Sequence, residues 1–153
     1  MKRFPTIELI VFGIVLILDQ ISKIIVANTL QHGQSVTLIS NWLYITRTHN
    51  SGTIWGIAQG GNLIFSLVAV AVVGLIIFLA PKIASTVFAR VCLGAILGGA
   101  IGNLADRIIR GYVIDFIEFR IIHFPVFNVA DIGIVCGAIL LAASMLFDNK
   151  TEK

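Results

Sequence analysis

The residues of this sequence best able to do chemistry are acids: Asp19, Asp106, Asp115 and Asp131 stand in or beside otherwise apolar stretches. Asp115 and Asp131 bracket a segment of aromatic and basic residues. Two carboxylates within about 4 Å repel by roughly 4 kcal/mol at an effective dielectric of about 20, or about three pKa units. With desolvation added, one of the pair stays protonated near neutral pH. An acid and a base then coexist, the combination that activates water against an amide. Asp19 and Lys23 are four apart with the acid first, the spacing of an ion pair on one helix face. Asn103 and Arg107 share the same spacing, so an amide and a guanidinium project from one face. Arg107 can orient a carboxylate or peptide carbonyl through a bidentate contact, or serve only as a cation at a helix C-terminus.

Other chemistries find less support. His32, His49 and His123 fall singly in loops without H-E-x-x-H spacing, so no metal is expected. There is no G-x-S-x-G elbow. A serine mechanism with Ser51 activated by Lys23 has nothing local to set its geometry. The scattered basic residues form no run that would track phosphates, which argues against nucleic acid despite a formal charge of +3.

These residues must be positioned by membrane helices. The chain has 153 residues, 58% hydrophobic and 12% charged, with mean hydropathy +0.98; soluble domains carry about 25% charged residues. A span needs roughly 20 apolar residues. One membrane domain over 1–153 is expected, with spans at about 7–27, 62–80, 87–106 and 129–147 and outer loops at about 28–61 and 107–128. The first run also resembles a secretory signal peptide after Lys2 and Arg3. It lacks a small-residue cleavage site, and Asp19, Gln20 and Lys23 sit where one would be sought, so a retained helix is expected. Pro81 should close the second span. Gly94, Gly98 and Gly102 recur every four residues on one face of the third, a small-xxx-small packing surface that continues to Asp106. SVTLISNWLYITRTHNSGTIWG, and the alternation around Ile117, Phe119 and Ile121, read as strands of a small sheet on the membrane surface. Cys92 and Cys136 should be buried thiols at different depths.

Four spans place both termini on one side. Lys2, Arg3, Lys82, Arg90, Lys150 and Lys153 lie there, against Lys23, Arg47, Arg107, Arg110 and Arg120 opposite. The far-side cations mostly accompany acids, so both termini are placed in the cytoplasm. The acids then converge near the outer ends of the spans, where ionisable groups imply a functional site.

DQISK, NSGTIWG, GNLADR, GYVIDF and FNVAD, in this order on four spans, resemble the lipoprotein signal peptidases, the type II signal peptidases of bacteria. The resemblance covers nearly the whole chain. It implies four transmembrane helices with an extracytoplasmic β-cradle and a loop closing over substrate, in the bacterial inner membrane. It also implies an aspartic endopeptidase that cleaves diacylglyceryl-modified prolipoproteins just before the lipidated cysteine, without metal or cofactor. Asp115 and Asp131 fall on the family's catalytic pair. Asp19, Lys23, Asn50, Gly52, Asn103, Asp106, Arg107 and Asn128 fall on supporting positions. Membrane lipids and globomycin-type inhibitors are the further expected partners. Thr53, Ile54 and Ile132 depart from the family pattern, the first two beside Trp55 and the third where serine is common. The rival reading is a small proton- or ion-coupled transporter using the same carboxylates, but its acids would lie near the midplane between repeats.

Overall fold

The computed structural model describes residues 6–52 and 61–148. Thr53, Ile54 and Trp55 therefore lie outside the described residues. Among the described residues, four helices are long and apolar enough to cross a membrane: α1 (Thr6–Thr29), α2 (Gly61–Ile83), α3 (Val87–Arg110) and α4 (Val129–Asp148). The strands β1 (Ser35–Ile39), β2 (Leu43–Asn50) and β3 (Val113–Phe119) form an antiparallel sheet in that spatial order.

The packing is inside-out relative to a soluble bundle. α3 is the central helix and carries most of the buried helical residues, whereas α2 buries only Gly61 among its described residues. Leu67, Phe78, Ile139 and Leu146 face outward, as lipid-facing residues must. The glycine ladder works as its spacing predicts. A Cβ on Gly94 or Gly98 would meet the Glu8 or Phe12 carbonyl of α1 at 2.6 and 2.7 Å. Gly102 abuts the Asp19 carboxylate. The neighbouring face brings α3 against α4: Gly99 touches the Ala130 carbonyl, and Gly133 and Gly137 seat on Ala95 and Cys92.

Several sequence expectations need correction. Pro81 lies inside α2, and the Ala84 amide still donates to the Ala80 carbonyl at 2.8 Å. Proline removes its own N–H bond but leaves the following turn intact. α3 runs past Asp106 to Arg110, ending where Gly111 takes φ 80° and donates its amide to the Arg107 carbonyl. Only there does a left-handed cap close the helix. Cys92 is buried, but Cys136 is exposed. Their separation is not one of depth, because residue 137 packs against the Cys92 carbonyl; Cys136 faces outward.

The sheet is joined to the helices at two places. Val26, Leu30, Ile114 and Phe116 form one cluster that seals the end of α1 against β3. Arg47 of β2 donates to the Ala27 and Leu30 carbonyls at 2.9 and 2.8 Å, capping the C-terminus of α1. Between Ile45 and Thr48 the β2–β3 register shifts, which sets Thr48 opposite Asp115. The alternation expected to continue through Ile121 stops at Phe119, where a short 3-10 turn over Arg120–Ile122 takes over.

Candidate active site

The site is built by three element ends. β3 carries Asp115, the end of α3 carries Asn103, Asp106 and Arg107, and the start of α4 carries Asn128 and Asp131. Phe127 closes an antiparallel bridge with Ile117, its amide and carbonyl bonded to Ile117 at 3.1 and 2.8 Å. That bridge brings the start of α4 beside Asp115.

At α4 the backbone itself dictates the geometry. Asn128 precedes the helix, and its Oδ1 accepts from the Asp131 amide at 3.0 Å while Asp131 Oδ2 accepts from the Asn128 amide at 3.1 Å. This is a reciprocal capping box. It fixes the Asp131 carboxylate in the first turn, where the helix dipole favours an anion. Asp131 Oδ1 accepts from Asn103 Nδ2 at 2.8 Å.

Asp115 is held by two other amides. Asn128 Nδ2 donates to its Oδ1 at 2.6 Å and Asn50 Nδ2 to its Oδ2 at 3.0 Å. Asn128 thus touches both carboxylates, one through its side-chain amide and the other through its cap. Burial pushes the Asp115 carboxyl up to about 6; the neighbouring Asp131 charge adds to the rise, and the Asn50 and Asn128 hydrogen bonds and Lys23 oppose it.

Beneath the pair lies a sealed ionic core. Lys23 Nζ donates to Asp19 Oδ2 at 2.8 Å and to Asn103 Oδ1 at 2.8 Å, and it is ion-paired with Asp106 Oδ2 at 3.0 Å. Lys23, Asp19 and Asp106 have no solvent exposure. Asp19 Oδ1 also accepts from the Ala130 amide at 3.0 Å, and Asp106 Oδ2 from the Ile114 amide at 3.3 Å. Ala130 and Ile114 immediately precede Asp131 and Asp115. Lys23 therefore ties together the backbone that presents both carboxylates.

A polar cavity of about 490 Å³ opens onto this assembly, lined by Asn50, Gly52, Phe65, Arg107 and Asp115 among others. Arg107 lies over the Phe65 ring, 5.7 Å from its centroid, and donates to the Asn103 carbonyl at 3.3 Å. Arg110, not Arg107, pairs with Asp106.

Some participants escaped sequence reading. Gln20 Nε2 is within reach of Asp19 Oδ2, the Gly102 carbonyl and Asp106 Oδ1 at 3.1, 3.2 and 3.4 Å. His49 lies in β2, lines the cavity and stacks on Tyr112 at 3.9 Å and near His32 at 4.2 Å. The two histidines are not isolated. Burial lowers the His49 pKa, and the His32 and Arg47 charges lower it further. Ile132 is exposed.

Two carboxylates linked through Asn128, with Asp115 lining a polar cavity at one end of four apolar helices, are the equipment of a membrane-embedded hydrolase. Comparison with known proteins gives the particular family. The model of signal peptidase (SPase) II matches residues 11–147. Lipoprotein signal peptidase of Staphylococcus carnosus (strain TM300) is 39% identical over 153 residues, covering 98% of this chain and 96% of its own. That of Geobacillus thermodenitrificans (strain NG80-2) is 45% identical over 142 residues, covering 91% and 89%. A bacterial membrane enzyme structure solved by the in meso method at 2.3 Å resolution superposes with a TM-score of 0.88 at 33% identity, over 99% of this chain and 94% of that one. The chain belongs to the signal peptidase II family.

Proposed function

We propose that Asp115 and Asp131 form the catalytic pair of this signal peptidase, whose family makes it a protease that removes signal peptides from prolipoproteins. The observation that carries the assignment is the Asn128 bridge between the two carboxylates, of which Asp115 lines the cavity. Asp131, anchored at a helix N-terminus, is the base; Asp115, more deeply buried, holds the proton. Water attacks the scissile carbonyl carbon and passes a proton to Asp131 while Asp115 protonates the carbonyl oxygen. The C–N bond then breaks as the amine takes a proton from Asp131, and a hydroxyl proton of the diol returns to Asp115. Asn50, Asn103 and Asn128 orient the pair; Gly52 shapes the cavity rim; Asp19, Lys23 and Asp106 fix the spacing from below. Among the described residues none accepts from Arg107 Nε, which leaves that donor for a substrate carbonyl.

The substrate is a diacylglyceryl prolipoprotein cut before its lipidated cysteine. Its chains are held in lipid by about 0.8 kcal/mol per buried methylene, so the enzyme must meet the bond at the membrane surface. A globomycin-type inhibitor would occupy the same cavity. The chain is a multi-pass membrane protein; we place it as one domain in the bacterial inner membrane, with the cavity outward and both termini cytoplasmic. Neither the geometry nor the family supports the transporter reading.

The test is cleavage of a diacylated prolipoprotein by purified protein in detergent, with the unlipidated form as a slower control. Asp115→Asn and Asp131→Asn are each expected to abolish turnover with unchanged helix content. Turnover retained by either variant overturns the assignment.

A further inference from the structure

Gly61, the first residue of α2, is neither charged nor near a reacting atom, yet it is the buried point of that helix. A Cβ there would collide with the Gly52 carbonyl oxygen, and its carbonyl carbon would be 2.9 Å away. The contact is mutual, because a Cβ on Gly52 would come 3.2 Å from the Gly61 carbonyl carbon and would strike the Phe65 ring. Gly52 also needs its φ of +75°, a conformation side chains resist. The two glycines therefore clasp the end of the β2 segment against the start of α2.

The clasp leads to the site in two steps. The Gly52 amide donates to Asn50 Oδ1 at 3.0 Å. With its oxygen so engaged, Asn50 can turn only its Nδ2 toward Asp115, which it reaches at 3.0 Å. On the far side, Asn62 Nδ2 donates to the Arg107 carbonyl at 3.3 Å, fixing α2 to the last turn of α3. We propose that Gly61 is a positioning residue for the reaction: by seating Gly52 it sets the amide orientation of Asn50 and, through it, the proton held by Asp115. This rests on the proposed role of Asp115 as the acid.

The experiment compares Gly61→Ala, Asn50→Ala, their double variant and Gly74→Ala. Gly74 lies in the same helix with open space where its Cβ would be. The readout is the pH dependence of kcat/KM on a diacylated prolipoprotein, with thermal unfolding recorded in parallel. The Asn50 bond favours the ionised Asp115, so losing it raises the pKa and moves the basic limb upward by about one unit. Gly61→Ala is expected to reproduce that shift, the double variant to shift no further than Asn50→Ala, and Gly74→Ala to match the parent. A rate loss in Gly61→Ala with no movement of the limb, while Asn50→Ala moves it, overturns the clasp and spares Asp115 as the acid. Additive shifts in the double variant also overturn it. No movement in any variant overturns both the clasp and the acid assignment.

Discussion

At the scale of single residues, the proposed division of labour between the two aspartates rests on their surroundings. Asp115 is almost wholly buried on a strand; Asp131 is half-buried at a helix start. With the Asp115 carboxyl pushed to about 6 and acting as proton donor, kcat/KM must fall as pH rises through that value, because the ionised form has no proton to give. A pH–rate profile of the free enzyme is expected to show its basic limb near 6, and a flat profile from 5 to 8 would contradict the assignment. Lys23 makes a second prediction. It bridges two buried carboxylates, one of which also pairs with Arg110, and removing one partner from a buried ionic group costs roughly 3 to 5 kcal/mol. Lys23→Met should lower the midpoint of thermal unfolding in detergent markedly and depress activity, since Ala130 and Ile114 lose their common anchor. Residue chemistry of this kind was partly legible: the i,i+4 spacing of Asp19 and Lys23 predicts their pairing. Asp106 as the second partner, and His49 beside His32, depend on contacts between distant segments that no local spacing encodes.

At the scale of elements, glycines decide how closely the helices that carry the site can approach. Gly99 contacts the backbone of Ala130, the residue just before Asp131. Inserting a branched side chain there must push α4 away from α3 and stretch the 2.8 Å bond from Asn103 to Asp131. Gly99→Val is therefore expected to reduce kcat at least tenfold, the effect of about 1.4 kcal/mol in the barrier, while circular dichroism still reports a helical protein. Normal turnover would show that the α3–α4 contact does not set the carboxylate geometry. The ladder Gly94, Gly98, Gly102 was visible in the sequence because its period matches one helix face. The end of α3 was not. Asp106 and Arg107 look like the polar border of a span, but buried partners on α1 and β3 let the helix continue to Arg110. Capping of α1 by Arg47 was likewise hidden, since the bond joins elements with the β1 hairpin between them.

At the scale of the whole molecule, structure sharpens the question of orientation. Counted along the sequence, the termini side has Lys2, Arg3, Lys82, Arg90, Lys150 and Lys153 against Lys23, Arg47, Arg107, Arg110 and Arg120 opposite, which is nearly balanced. The positive-inside rule concerns loops and segments flanking the spans. Lys82, Arg90, Lys23, Arg107 and Arg110 all lie within helices, and Lys23 is sealed in an ionic core. Setting these aside leaves Lys2, Arg3, Lys150 and Lys153 on the termini side and Arg47 and Arg120 on the other. Arg120 is paired with Glu118, and Arg47 is occupied with the end of α1. The imbalance supports the proposed orientation, with cytoplasmic termini and the cavity on the outer face, where the proposed lipid-anchored precursor would emerge after export. A green fluorescent protein fused after Lys153 is expected to fluoresce, and an alkaline phosphatase fused at the same point to stay inactive. The reverse pattern would put Asp115 and Asp131 on the cytoplasmic face, where an exported precursor does not present its cleavage site.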